Sequence, residues 1–367
     1  MKPKPLYLLI IVTFVAALVL IGCGKGNEPD VNGKDTEINV ALVSTPPAAG
    51  NMPSDQIWDN VDQSSIWVGT DSTYMSYQGP GVVRVKAVTD GANVYFRFDW
   101  SDSSMTNDPG RWFFGISNQR PFEQEADTIR DQKGNITLSS IERDEQRWVD
   151  EDVFAMFLDY GNNGSEGANC ASTCHGPEEV NSIGERHWTT GGGNIDCWVW
   201  RAGRTDPLGI AEDYFWGAER KYDSYDVDLY FRNATDQDSF VPNDPAWMHK
   251  IDSASFAGMV LYSDDTTKID QSDNVGWQLG DGVPGWITNS DYMTGNTSRY
   301  DIHAESLYDP QINAWILVLW RSMAAPTPSE DVAFQMGGQY QATLAIMRNT
   351  NLRHSGSEPI TIKFPSP

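Results

Sequence analysis

Val94-Tyr95-Phe96-Arg97-Phe98-Asp99-Trp100 sets Val94, Phe96, Phe98 and Trp100 at every second position. A period of two puts those four on one face of an extended chain, so this stretch reads as a strand with one buried side. Just upstream, Val82-Val83-Arg84-Val85-Lys86-Ala87-Val88 runs into Asp90-Gly91. An Asp-Gly step between two such runs predicts a β-hairpin, because glycine reaches the left-handed conformation that a tight turn needs.

Outward from this hairpin the same pattern returns. Asp150 to Tyr160 is a further strand introduced by acids, and Asn313 to Trp320 is apolar on both faces, as in a strand inside a sheet. Gln339 to Met347 alternates again, with Tyr340, Ala342, Leu344 and Ile346 turned inward. No stretch of helical period matches these in strength. Fourteen Trp, fourteen Tyr and fourteen Phe stand among thirty-two Gly and twenty Pro. The expected fold is mostly β, a single large β-sandwich with long irregular loops and an aromatic core.

The amino terminus reads as an export signal. Lys2 and Lys4 precede an apolar run from Leu6 to Ile21 that ends in Leu20-Ile21-Gly22-Cys23. This is the pattern of a bacterial lipoprotein signal, with residues 1–22 removed and Cys23 lipidated; a retained membrane helix is the other reading of so long a run. Residues 23–36 form a polar linker and 37–367 the folded body. The expected location is the outer membrane or the periplasmic face of a bacterial membrane, with Gly24 after the cysteine favouring the former. A net charge of -25 argues against a nucleic acid partner and favours either solubility or docking to a basic protein.

Between Gly161 and Arg204 the alternation gives way to glycine, asparagine and serine. Inside it lies Cys170-Ala171-Ser172-Thr173-Cys174-His175. Two thiols followed by a histidine are the groups that attach a c-type haem, with thioethers from sulfur and an imidazole on the iron, although the usual spacing has one residue fewer between the cysteines. Three readings stand: covalent haem, noncovalent haem beside a Cys170–Cys174 disulfide, and a disulfide alone. With Cys23 lipidated, the remaining cysteine is Cys197, whose setting in Asp196-Cys197-Trp198-Val199-Trp200 reads as a small buried core residue. In an acidic chain, Arg201 and Arg204 stand out as partners for haem propionates, a surface salt bridge being the plainer role. The acids Asp150-Glu151-Asp152 and Glu212-Asp213 read as solvated or turn-capping, since nothing in their spacing builds a calcium loop or an acid-base pair.

Several motifs in fixed order carry a resemblance. They are Val94 to Asp102, Asp150 to Val153, Cys170 to His175, Trp198 to Arg204, Gly280 to Gly285, Trp320-Arg321 and Asp331 to Phe334. The chain, from about Glu37 to Lys363, resembles the ethylbenzene dehydrogenase gamma subunit and the related cytochromes and haem subunits of DMSO-reductase-type molybdoenzymes. The resemblance implies one haem near the loops of a sandwich; the family includes members with noncovalent b-type haem, while the cysteine pair and His175 favour c-type here, with b-type the alternative. It also implies electron relay rather than catalysis, and a redox partner such as a molybdoenzyme or a c-type cytochrome. His175 of the cysteine motif is the expected first axial ligand; the segment from Ala345 to His354 resembles a family region that supplies a ligand, so His354 is the expected second, with Met347 of that segment and His187 of the cysteine loop as alternatives. A different class of function remains beside it: a non-catalytic carbohydrate-binding sandwich with a Cys170–Cys174 disulfide.

Overall fold

The computed structural model describes residues 35–70, 81–107, 151–160, 194–216, 298–348 and 355–367, together with strand residues 112–114, 121–123, 129–130, 136–137, 220–222, 230–232, 261–262, 282–283 and 286–288. Thirteen strands form one sheet: β1 (Glu37–Leu42), β2 (Ser64–Thr70), β3 (Gly81–Thr89), β4 (Asn93–Ser101), β5 (Val153–Tyr160), β6 (Asn194–Arg201), β7 (Glu212–Trp216), β8 (Arg220–Tyr222), β9 (His303–Asp309), β10 (Ala314–Ser322), β11 (Gln339–Met347), β12 (Ser355–Ser357) and β13 (Ile360–Lys363). Helical geometry among the described residues is confined to short 3-10 turns.

The β3–β4 hairpin forms as the alternation predicts. Gly91 takes φ 88° at its tip, and the Asp90 carboxylate accepts the backbone N–H of Ala92 and Asn93 at 2.8 and 2.7 Å. These bonds satisfy turn donors that the ladder leaves over. Val94, Phe96, Phe98 and Trp100 are all fully buried.

The spatial order is β8-β7-β6-β5-β11-β12-β2-β3-β4-β10-β9, with β13 bridging β11 to β1 and β1 running parallel to both β13 and β3. That continuous sheet folds over on itself into a sandwich, as its ring contacts show. Phe98 of β4 lies 4.3 Å from Phe154 of β5, Trp100 6.0 Å from Trp200 of β6, and Phe96 6.1 Å from Trp198. Strand β4 is a neighbour of neither β5 nor β6 in the sheet, so these rings meet face to face across two layers. Each fully buried aromatic contributes roughly 1.5–3 kcal/mol of transfer free energy, and the aligned packing of two inner faces makes one core. Tyr340, Ala342, Leu344 and Ile346 point into it, as expected.

Strands β5 and β6 are apolar on both faces. Their outer side carries Val153, Phe157, Ile195 and Cys197, joined by Tyr214 and Trp216 of β7, and Cys197 is indeed a fully buried core residue. On the other layer, Met52, Trp58 and Val61 cover Val88, Tyr95 and Val318. Lys86 Nζ donates to the Trp58 carbonyl at 2.5 Å, and Glu305 accepts the N–H groups of Gly50 and Met52 at 2.6 and 2.9 Å, which fixes that cover to the sheet.

One flank of the sandwich is closed by backbone. Ala211 N donates to Ile302 O and Ala304 N to Gly209 O, both at 2.9 Å, around a bridge between Ile210 and His303. Among the smaller pieces, Trp112–Phe114 pairs with Pro121–Glu123 and with Gly282–Val283.

Candidate functional site

Cys23, Cys170, Cys174, His175, His187 and His354 lie outside the described residues. Met347 ends β11, half-buried against the apolar cluster of Val153, Phe157 and Cys197. Arg201 and Arg204 fall inside the fold, and their surroundings correct what the sequence suggested for them.

Strands β6 and β7 pair antiparallel, with Trp198 opposite Asp213 and Val199 opposite Glu212. The turn after β6 then brings Arg204 back onto Glu151. Arg204 Nε donates to Glu151 Oε1 at 2.5 Å, its Nη2 forms an ion pair with the same oxygen, and Gly203 N donates to Oε2 at 3.0 Å. Arg201 Nε donates to Glu212 Oε2 at 2.9 Å, and Arg299 Nη2 to Oε1 at 3.4 Å. The Arg204 guanidinium also lies 4.7 Å over the Trp286 ring. Glu151 and Glu212 are fully buried, and Arg204 is nearly so. Neither the solvated acids nor the surface salt bridge expected from sequence is found here. The pairing is internal because a buried carboxylate is tolerated only when its charge and lone pairs are met.

Beside this knot sits a second one, centred on Arg321 of β10. Its guanidinium is wholly buried, 3.1 Å from Asp196, 3.8 Å from Asp213, and 3.9 Å from both Asp301 and Asp331. It also donates to the Val332 carbonyl at 2.5 Å, and Asp196 accepts Val332 N at 2.8 Å. Trp198 and Phe334 flank the cation at 4.9 and 5.6 Å. Four carboxylates around one cation cannot all ionise at their ordinary pKa. Burial raises Asp196, with Asp331 adding to the rise and Arg321 opposing it. Burial likewise pushes Asp301 up to about 7, against Arg321 and reinforced by Asp331 and Asp196. Burial works against the charge on Arg321, but its four carboxylates outweigh that effect and hold its pKa above the ordinary value.

The two knots explain the ordered motifs. Glu151, Trp198, Arg201, Arg204, Arg321, Asp331, Val332 and Phe334 are far apart in sequence and meet here, tying β6 and β7 of one layer to β10 of the other. Sequence reasoning passed over Arg299, Asp301 and the burial of Arg321, named Asp196 only as a neighbour of Cys197, and read Asp213 as solvated or turn-capping. The available signal was a charge inside a run otherwise apolar on both faces, as at Arg321 in Ala314–Ser322 and Asp196 in Asn194–Arg201.

A different surface lies on the outer face of the β2-β3-β4-β10-β9 layer. One cross-strand row is Ser65-Arg84-Asp99-Ile316-Leu307, and the next is Lys86-Arg97-Val318-Glu305. Trp67 sits opposite Val82 on the same side, half-buried, and Leu307 is 43% exposed. Arg97 Nη2 lies 3.2 Å from Asp99 Oδ2, while Arg97 Nε and Asp99 Oδ1 have no hydrogen-bond partner. Burial raises the Asp99 carboxyl, and Arg97, Arg84 and Lys86 oppose that rise.

Comparison with known proteins adds three findings. The family model described as ethylbenzene dehydrogenase matches residues 55–358. No curated protein matches the chain in sequence. Among solved structures, a Bacteroides uniformis protein to which carbohydrate binding is ascribed aligns with TM-score 0.35 and 8% identity, covering 90% of this chain and 99% of that one. A family 9 carbohydrate-binding module from Caldicellulosiruptor kristjanssonii, in complex with glucose, aligns with TM-score 0.32 and 9% identity, covering 90% and 96%.

The expected haem-carrying electron relay is therefore corrected. Among the described residues nothing supplies a haem site. Arg201 and Arg204, expected on the propionates, are engaged by Glu151 and Glu212 within the fold. Met347 packs in an apolar cluster, and no three His, Cys, Asp or Glu among the described residues are placed to hold a metal ion.

Proposed function

The chain belongs to the ethylbenzene dehydrogenase family, and we propose that this member is a non-catalytic binding module for polysaccharide, exported and tethered through Cys23. The observation that carries the reading is the outer face of the β2-β3-β4-β10-β9 layer, where Trp67 stands beside a row of guanidinium and carboxylate groups. A sugar ring has an apolar C–H face that lies against an indole, and hydroxyl pairs that bridge charged donors and acceptors. A half-buried tryptophan near a few polar groups offers contacts of both kinds.

Two further observations support it. Glu151, Glu212 and Asp196, which a hydrolase would need facing solvent, are engaged in internal ion pairs. Lys2, Lys4 and the apolar run up to Cys23 support export, to where polysaccharides are met. The test is retention of the lipid-anchored chain, in detergent, on insoluble polysaccharides and in affinity gels. Trp67→Ala is expected to weaken binding about tenfold, the loss of one stacking contact of roughly 1.4 kcal/mol. Absence of retention on every polymer, or retention unchanged in that variant, overturns the reading.

A further inference from the structure

We infer that the seam between residues 209–211 and 298–304 is a proton-controlled latch, closed while the Asp301 carboxyl keeps its proton and opening locally once it ionises. This seam is where the two ends of the long sheet meet. Residues 209–211 lead into β7, near one end of the strand order, and 302–304 open β9 at the other. Among the described residues, two backbone bonds of 2.9 Å cross it, Ala211 N to Ile302 O and Ala304 N to Gly209 O, around the Ile210–His303 bridge. A junction that small can part without disturbing the longer ladders on either side, which is how local opening differs from unfolding.

Two charged side chains of the 298–304 segment reach inward. Arg299 Nη2 donates to Glu212 at 3.4 Å, a tether whose cation keeps its charge at any pH near neutrality. Asp301 is the other, 3.9 Å from Arg321, a cation that also serves Asp196, Asp213 and Asp331. Those three have further support. Asp196 accepts Val332 N at 2.8 Å and shares a hydrogen bond with Asp213, and Asp331 accepts Thr327 N at 2.7 Å. Neither Asp301 oxygen meets a hydrogen-bond partner from another residue, and Asp301 alone of the four is partly exposed, its side chain at 19%. Once ionised, a carboxylate so placed gains more from water than from a cation shared four ways. Burial raises the Asp301 carboxyl to about 7 against the pull of Arg321, with Asp331 and Asp196 adding to the rise. The proton is therefore held more tightly in the closed seam than in the open one, so closure is favoured at low pH and that advantage is lost as pH climbs from about 4 to about 7. His303, on the same segment, stacks on Trp320 and is held low by burial, so its titration works in the opposite direction.

The experiment is native-state hydrogen exchange of the full lipid-anchored chain in detergent, at pH 5 and pH 8 and corrected for intrinsic exchange, read at the amides of Ala211 and Ala304. Protection there is expected to fall about seventyfold between the two pH values, the factor that follows from moving one carboxyl from 3.8 to about 7. At both pH values these amides should be less protected than those of the β3–β4 ladder. They should also be indifferent to urea up to about 1 M, to which the ladder amides respond, because a local opening exposes little surface. Asp301→Asn is expected to cut the pH effect to under tenfold. Protection at Ala211 and Ala304 equal to that of the ladder, with the same urea response, means that the seam parts only when the whole chain unfolds and overturns the inference. So does protection that is flat between pH 5 and pH 8 in the wild-type chain, a measurement that needs no variant to fold. An undiminished pH effect in Asp301→Asn assigns the proton to another group and overturns it as well.

Discussion

Replacing Asp301 by Asn is expected to flatten the pH dependence of stability and to make the protein more stable above neutrality. Asp301 lies 3.9 Å from Arg321, with Asp196 and Asp331 in the same buried group, and both of its side-chain oxygens lack hydrogen-bond partners. Its folded pKa, about 7, is raised above the ordinary 3.8. A raised carboxyl binds its proton more tightly when folded than when unfolded, so its contribution is present at low pH and is lost as pH climbs from about 4 to about 7. At about 1.4 kcal/mol per pH unit, lifting the carboxyl that far amounts to about 4 kcal/mol in total, of which about 2.5 kcal/mol falls between pH 5 and pH 8. The proton is shared with Asp196 and Asp331, so this figure belongs to the group. Asparagine keeps the shape and cannot ionise, and Arg321 still faces three carboxylates. Urea unfolding at pH 5 and pH 8 reads the difference: the wild type should lose about 2.5 kcal/mol on going to pH 8, and Asp301→Asn less than half of that. A variant with the same slope, or one destabilised increasingly as pH rises, refutes the account.

Three other substitutions probe the frame. Arg321→Met, which leaves three buried carboxylates and the half-buried Asp301 without their cation, is expected to cost about 3–5 kcal/mol at pH 8 and visibly less at pH 5, read as a drop in Tm. Phe98→Ala removes the ring that meets Phe154 at 4.3 Å and should cost about 3–5 kcal/mol by chemical denaturation. Gly91→Val, at a turn position with φ 88°, should cost about 1–3 kcal/mol with no change in the core's near-ultraviolet signature, and a neutral outcome would show that the hairpin tip tolerates a bulky side chain.

The hairpin of β3 and β4 was legible because both of its signals are local: alternation along each strand and Asp90-Gly91 between them. The inward face of β11 was legible for the same reason. The charged interior was not, since acids and arginines are exposed by default and only a distant partner reverses that expectation. Asp196 and Arg321 are 125 positions apart, and Glu151 and Arg204 are 53. No window of sequence contains both halves of either pair. The motif series that marks the family was visible, yet its meaning was read as a cofactor site. In the structure Trp198, Arg201, Arg204, Arg321 and Asp331 hold the two layers together. The Arg97–Asp99 pair was present in the opening stretch itself, where the polar positions were set aside in favour of the apolar ones.

The parallel pairing of β1 bears on how the chain is made. Val40 to Leu42 pair with Ala87 to Thr89, a partner available early, whereas Glu37 to Asn39 pair with Thr361 to Lys363. On a chain emerging amino terminus first, half of the first strand waits for almost the last residues before its ladder can close. Until then Ile38, buried in the finished protein, has no cover from Ile362, with which it is paired. Such long sequence separation slows folding and leaves an apolar edge open to other chains in the meantime. The final strand thus acts as the latch on assembly, and a nascent chain stalled before Ile360 would be a client for chaperones rather than a shortened sandwich.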